Sequence, residues 1–185
     1  LGLPGEGRLL LMGADHALND PRKGCAALLE ALAQGGPAGG SGSRPGAGFR
    51  PVVFGNAPAD DRQLRAAERC GAILLGPLRG DEALARAYSA CDLYAFPSAQ
   101  DNLPNTVMEA LSCGLPVLAF AIGGLRELVR HGQTGMLAEV SDATGASACG
   151  MHSFLQALQD FPVHRLDEMG RAARADALAR FSLEA

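Results

Sequence analysis

Lysine is nearly absent from this chain: of 16 basic residues, one, Lys23, is Lys and the rest are Arg. The formal net charge is −4, and no basic stripe interleaved with aromatics appears, which excludes a nucleic-acid surface. No apolar run approaches the roughly 20 residues that a membrane helix needs. Leu1 leads straight into a Gly/Pro-rich turn, so no signal peptide is expected, and without an initiator Met the chain reads as a piece of a longer cytoplasmic protein. The five cysteines (Cys25, Cys70, Cys91, Cys113 and Cys149) lack metal-ligand spacing and read as buried free thiols in a reducing compartment. Two nucleotide signatures are absent as well. Gly13 is followed by Ala-Asp-His-Ala-Leu-Asn instead of a Gly-x-Gly-x-x-Gly turn, and no Gly-x-x-x-x-Gly-Lys-Ser/Thr occurs, which argues against a dinucleotide domain and a P-loop.

What is present has room for one sizeable core: 185 residues, 48% hydrophobic. Strands are expected at 8–12, 51–54, 72–75, 92–96, 117–120 and 136–138. Helices are expected at 22–34, with Ala26, Leu29 and Ala33 inward, at 60–70, at 81–89 capped by Asp81, from near Asn105 to Gly114, at 152–160 and at 164–181. This alternation implies an α/β fold, a Rossmann-like parallel sheet with helices on both faces. Ligands of such sheets sit outside the carboxyl ends of the strands, here the loops 13–22, 55–59, 76–80, 97–104 and 121–124. The Gly/Ser/Pro-rich stretch 35–48 reads as a flexible surface loop, with 141–150 a milder case, and neither as a linker. Residues 1–185 therefore read as one domain without an internal repeat.

The densest chemistry lies at 97–124, where a Pro-punctuated polar loop feeds a short helix, a strand and a Gly-Gly turn. Asp101 and Glu109 flank the helix start. A helix N-terminus offers free N–H groups and partial positive charge to a phosphate, and carboxylates accept hydrogen bonds from sugar hydroxyls. Ribose at one end, a diphosphate in the middle and a second sugar beyond is the shape of a nucleotide-sugar site. Thr106-x-x-Glu109 equally fits a capping box, in which the Glu folds back on its own helix. Lys23, in Asn-Asp-Pro-Arg-Lys-Gly at the end of the first loop, is a compact charge suited to a diphosphate, or else a solvated surface residue.

Asp101-x7-Glu109 followed by Ala-Leu-Ser-Cys-Gly-Leu-Pro-Val, with Gly-Gly-Leu-Arg-Glu-Leu-Val after it, resembles the C-terminal, donor-binding half of retaining family 4 glycosyltransferases of GT-B architecture. Asp stands where the family's motif has its first Glu. The Asp-Asn-Leu-Pro-Asn-Thr-Val-Met-Glu version is similar to members that build bacterial exopolysaccharides, and the resemblance runs along nearly the whole chain. It implies a nucleoside-diphosphate sugar donor, UDP-linked by expectation, transfer with retention of configuration, and an acceptor brought by a domain N-terminal to this one. It also leaves room for peripheral membrane association of the full-length protein.

Residue by residue, the resemblance implies ribose at Glu109, the nucleobase at Gly76-Pro77-Leu78-Arg79 through backbone groups, and the diphosphate on Lys23. Arg22, Asn105 and Thr106 join Lys23 there; Asp101 orients the sugar, and Asn102, Leu103 and Pro104 complete the donor loop. Lys23 and Asp101 are the catalytic candidates. Family members often carry Gly-Arg where this chain has Gly13-Ala14, so Arg22 compensates or phosphate affinity is weaker. No Asp-x-Asp is present, and no metal or other cofactor is expected; Lys23 and the helix start would neutralise the leaving group. Gly123 and Gly124 allow backbone approach to the donor or simply a tight turn. His16 lies in the first loop, and His131, His152 and His164 read as surface residues. A nucleotide-sugar binding module without transfer activity, and a sugar-nucleotide epimerase, remain open beside the transferase.

Overall fold

The computed structural model describes residues 1–14, 16–35, 48–55, 60–100, 103–140 and 148–182. Six parallel strands form one sheet: β1 (Arg8–Gly13), β2 (Phe49–Phe54), β3 (Ile73–Gly76), β4 (Leu93–Phe96), β5 (Val117–Phe120) and β6 (Gly135–Ala138). Their order in space, β3-β2-β1-β4-β5-β6, reverses direction between β1 and β4. This is the doubly wound order of a Rossmann-like sheet, whose ligand crevice opens at that reversal.

Strand sequences such as Leu9-Leu10-Leu11-Met12 are apolar throughout because helices cover both faces. Successive side chains point to opposite faces, so Leu10 and Met12 join one core cluster while Leu9 and Leu11 join the other. On the first face the strands meet α1 (Cys25–Ala33), α2 (Asp61–Cys70) and α6 (Ala148–Gln159) through Leu28, Leu29, Ala66 and Phe154. On the second they meet α3 (Asp81–Ser89), α4 (Asn105–Ser112), α5 (Leu125–Leu128) and α7 (Leu166–Phe181) through Tyr88, Val107, Leu125 and Ala173. Two glycines let α7 reach the end of α4: a Cβ at Gly170 would stand 2.5 Å from the Gly114 carbonyl oxygen. Asp176 then ties α7 to the turn after α5, accepting from Arg130 at 2.6 Å and Arg180 at 2.8 Å. Among the described residues no helix is long and apolar enough to cross a membrane.

Several boundaries differ from expectation. The helix foreseen at 22–34 is two pieces, a 3-10 turn at Pro21–Lys23 and α1, parted by Gly24 in the left-handed region (φ 68°). The inward face of α1 is consequently Cys25, Leu28, Leu29 and Leu32. Asp81 is the first residue of α3 instead of its cap; Gly80 holds the cap position without a side-chain bond. Asp60, placed inside the second helix by its sequence, caps α2 through a reciprocal bond with Gln63. Helix α6 begins at Ala148, earlier than 152, and α7 is preceded by a separate 3-10 turn at Val163–Arg165. Of the cysteines expected to be buried, Cys25 is; Cys70, Cys91 and Cys113 are half-buried and free. Most of the stretch 35–48 and of 141–150 lies outside the described residues.

Candidate functional site

Loops after four strands and the start of α4 come together at the carboxyl end of the sheet. The first loop leaves β1 at Gly13, whose φ of 151° no side chain tolerates here, since a Cβ would sit 2.2 Å from the Phe54 carbonyl oxygen. The Tyr94 hydroxyl donates to the Gly13 carbonyl at 2.9 Å and holds that exit in place. The chain then turns through His16, left-handed at φ 56°, and enters the Pro21–Lys23 turn. Asp20 caps this turn, accepting from the Arg22 backbone N–H at 3.0 Å and from its guanidinium at 3.0 and 2.7 Å. The guanidinium and the N–H hold the Asp20 carboxyl down at about 2.

The same turn is bound to the loop after β4. The Arg22 carbonyl accepts from the Ala99 N–H and from the Ser98 hydroxyl, each at 3.2 Å. Gly24 packs so closely on Pro97 that a Cβ would fall 2.2 Å from its carbonyl oxygen. Lys23, half-buried, is thereby fixed beside the segment that leads toward Asp101. Asp101 and Asn102 themselves lie outside the described residues.

Helix α4 starts with Pro104 in the cap position, which supplies no side-chain oxygen. The Pro104 carbonyl takes the Val107 and Met108 N–H groups at 3.1 and 3.4 Å. Among the described residues no side chain caps the helix start, which suits an anion there. Thr106 is the second helical residue, so the capping box with Glu109 does not form. Glu109 reaches sideways instead: Tyr88 of α3 donates its hydroxyl to Glu109 Oε2 at 2.9 Å.

Glu109 opens onto a cavity of about 210 Å³ lined by Ala14, Phe54, Gly55, Leu78, Leu84 and Thr106. The structure therefore brings Leu78, Thr106 and Glu109 together at the strand ends. Lys23 and Arg22 stand apart from that cavity on the turn docked against Ser98 and Ala99, and Arg22 is already engaged by Asp20. Leu103 is exposed, Pro104 buried and Asn105 exposed. Gly123 adopts φ 45° in a tight turn, and Gly124 is helical at the start of α5. His131 has a partner the sequence did not reveal: its Nδ1 accepts the Leu137 N–H at 3.0 Å.

A larger cavity, about 600 Å³, lies at the opposite end of the sheet, beneath α7 and against Asp92 and Pro116, which precede β4 and β5. It has none of the strand-end chemistry. Burial pushes the Cys25 and Cys91 thiols up to about 12, which removes both as nucleophiles. Among the described residues no group of three or more His, Cys, Asp or Glu is placed to hold a metal.

Residue-level reading of the sequence missed Tyr88, Phe54 and Leu84. A signal was there for two of them. Leu84 and Tyr88 are four apart on α3, hence on one face, and Tyr88 is one of only two tyrosines in the chain.

The family model for glycosyl transferases group 1 matches residues 7–156. An N-acetyl-alpha-D-glucosaminyl L-malate synthase from Bacillus anthracis is 33% identical over 101 residues, 55% of this chain and 25% of that protein. Among solved structures, sucrose-phosphate synthase from Thermosynechococcus elongatus aligns with a TM-score of 0.69 at 24% identity, over 98% of this chain and 43% of the other. Anabaena HepE in complex with UDP and glucose aligns with a TM-score of 0.65 at 24% identity, over 95% and 45%. These likenesses to solved structures show the fold, and the chain spans about a quarter of that curated relative's length. With its model matched over most of its length on a Rossmann-like sheet, the chain belongs to the group 1 glycosyltransferase family.

Proposed function

We propose that this chain is the donor-binding half of a retaining glycosyltransferase that uses a UDP-linked sugar and builds a glycan or a lipid-linked glycan in the cytoplasm. The observation that carries the reading is the Glu109 carboxylate set in a cavity with Leu78 and Thr106 at the strand ends. A carboxylate there accepts the ribose hydroxyls, while Leu78 and the backbone beside it enclose the base. HepE, of the same fold, is held with UDP and glucose, which supports uracil as the base.

From the ribose the diphosphate would run over the start of α4, where the Asn105 and Thr106 N–H groups and the helix dipole favour negative charge. Lys23 supplies the cation. Arg22 contributes only if the diphosphate displaces Asp20 from its guanidinium. Asp101 orients the sugar. As the anomeric bond breaks, charge grows on the β-phosphate, and Lys23 with the helix start stabilises it without a metal. The acceptor would attack on the face that the diphosphate leaves, delivered by a second domain.

The cavity is smaller than the roughly 300–1,000 Å³ of an enclosed ligand pocket, so binding by this chain alone should be weak. Isothermal titration against UDP, GDP, ADP and their sugar conjugates tests the proposal. Saturable binding below millimolar concentration, strongest for UDP species, is expected. A folded sample that binds no nucleoside diphosphate up to millimolar concentration sinks it.

A further inference from the structure

The bond between Tyr88 and Glu109 leaves the two carboxylate oxygens in different states. Oε2 takes the Tyr88 hydroxyl at 2.9 Å. Among the described residues no donor engages Oε1, and Glu109 lines the cavity. A surface Glu has three rotatable bonds and loses rotamer entropy whenever a ligand immobilises it. A donor that holds it beforehand removes that cost from binding.

The donor is itself rigid. Tyr88 is buried, and its ring packs edge-on against Tyr94 (5.6 Å, 79°) and Phe54 (6.1 Å, 82°). Both partners belong to strands, so the sheet sets the position of the hydroxyl as much as α3 does. Tyr94 in turn anchors the Gly13 carbonyl on the opposite wall of the crevice. Burial, with Tyr94 and Glu109 beside it, pushes the Tyr88 phenol far above its ordinary range, so it stays a donor at every working pH.

We propose that Tyr88 is a positioning residue: its hydroxyl locks the Glu109 carboxylate so that Oε1 is presented to the ribose hydroxyls of the donor. The proposal rests on the reading of Glu109 as the ribose acceptor. It makes Tyr88 a determinant of ribose recognition that never touches the nucleotide. The alternative is a plain packing clamp between α3 and α4.

The test compares UDP with 2′,3′-dideoxy-UDP by titration on the parent chain, Tyr88→Phe, Glu109→Ala and the double variant, each checked by thermal melting. Phe keeps the ring and its edge contacts, so the fold survives. Tyr88→Phe should weaken UDP about tenfold, the scale of a lost bond to a charged group, and leave the dideoxy nucleotide unchanged. In the Glu109→Ala background it should cost no further affinity. Equal losses on both nucleotides, or full additivity in the double variant, overturn the positioning role while the donor site stands. A parent chain that binds neither nucleotide overturns both.

Discussion

On the proposed reading, Glu109 serves stability and binding through different atoms. Its Oε2 satisfies the buried Tyr88 hydroxyl, and a buried donor left without an acceptor costs about 1–3 kcal/mol. Among the described residues no donor engages its other oxygen, and Glu109 lines the cavity. The two roles separate by substitution. Glu109→Gln keeps an acceptor for Tyr88 but removes the charge, so the melting temperature should hold within about 2 °C while UDP binds roughly fivefold more weakly. Glu109→Ala should lose more affinity and about 1 kcal/mol of stability, because water alone replaces the acceptor. Paired melting and titration check this; if Gln binds UDP as tightly as Glu, the ribose role fails. Arg22 makes the complementary point. Its bidentate pair with Asp20 means that its charge is already spent locally.

At the scale of elements, the decisive joint is the short turn Pro21–Lys23 docked on the β4 loop. Gly24 makes it possible, being left-handed at φ 68° and in contact with Pro97. Gly24→Ala meets two obstacles, the left-handed backbone and the carbonyl that its Cβ would strike. Together these should cost about 2–4 kcal/mol, roughly 4–16 °C in melting temperature for a domain of this size. Because Lys23 rides on the same turn, nucleotide affinity should fall in the molecules that remain folded. A melting temperature unchanged in the variant would show that the turn is not held by this contact. The pairing of α7 with α4 through Gly170 and Gly114 has the same logic, small residues allowing the close approach that fixes α4.

For the whole molecule the relevant fact is coverage: the chain spans under half the length of sucrose-phosphate synthase and of HepE. On the proposed reading catalysis needs a second domain, so it is predicted for a protein that carries one and not for this chain alone. In that protein Lys23→Ala should lower turnover about 10²–10³-fold, with a smaller loss of donor affinity, because the ground-state diphosphate keeps its backbone N–H contacts. Lys23→Arg should recover part of the rate, since a planar guanidinium places its charge differently. Unchanged turnover of Lys23→Ala at saturating donor would make this lysine an ordinary surface residue.

Much of this architecture was legible in the sequence because it follows from local periodicity. Apolar strands alternate with amphipathic helices, and punctuation such as Gly114 and Pro116 ends α4 where expected, so strand identity, fold class and the loops of the crevice follow from residues close in the chain. The motif around Glu109 was legible for the same reason, since its helix, strand and turn are contiguous. The partner of Glu109 was not. Tyr88 lies 21 residues away on another helix, and whether Thr106 and Glu109 form a cap or Glu109 reaches Tyr88 depends on where the helix starts. The neutralisation of Arg22 by Asp20, the docking of Arg22 on Ser98 and the bond from Leu137 to His131 were equally hidden. Long-range hydrogen bonds depend on how elements are placed in space, and only the folded sheet, by bringing β1 beside β4, decided which side chains share the site.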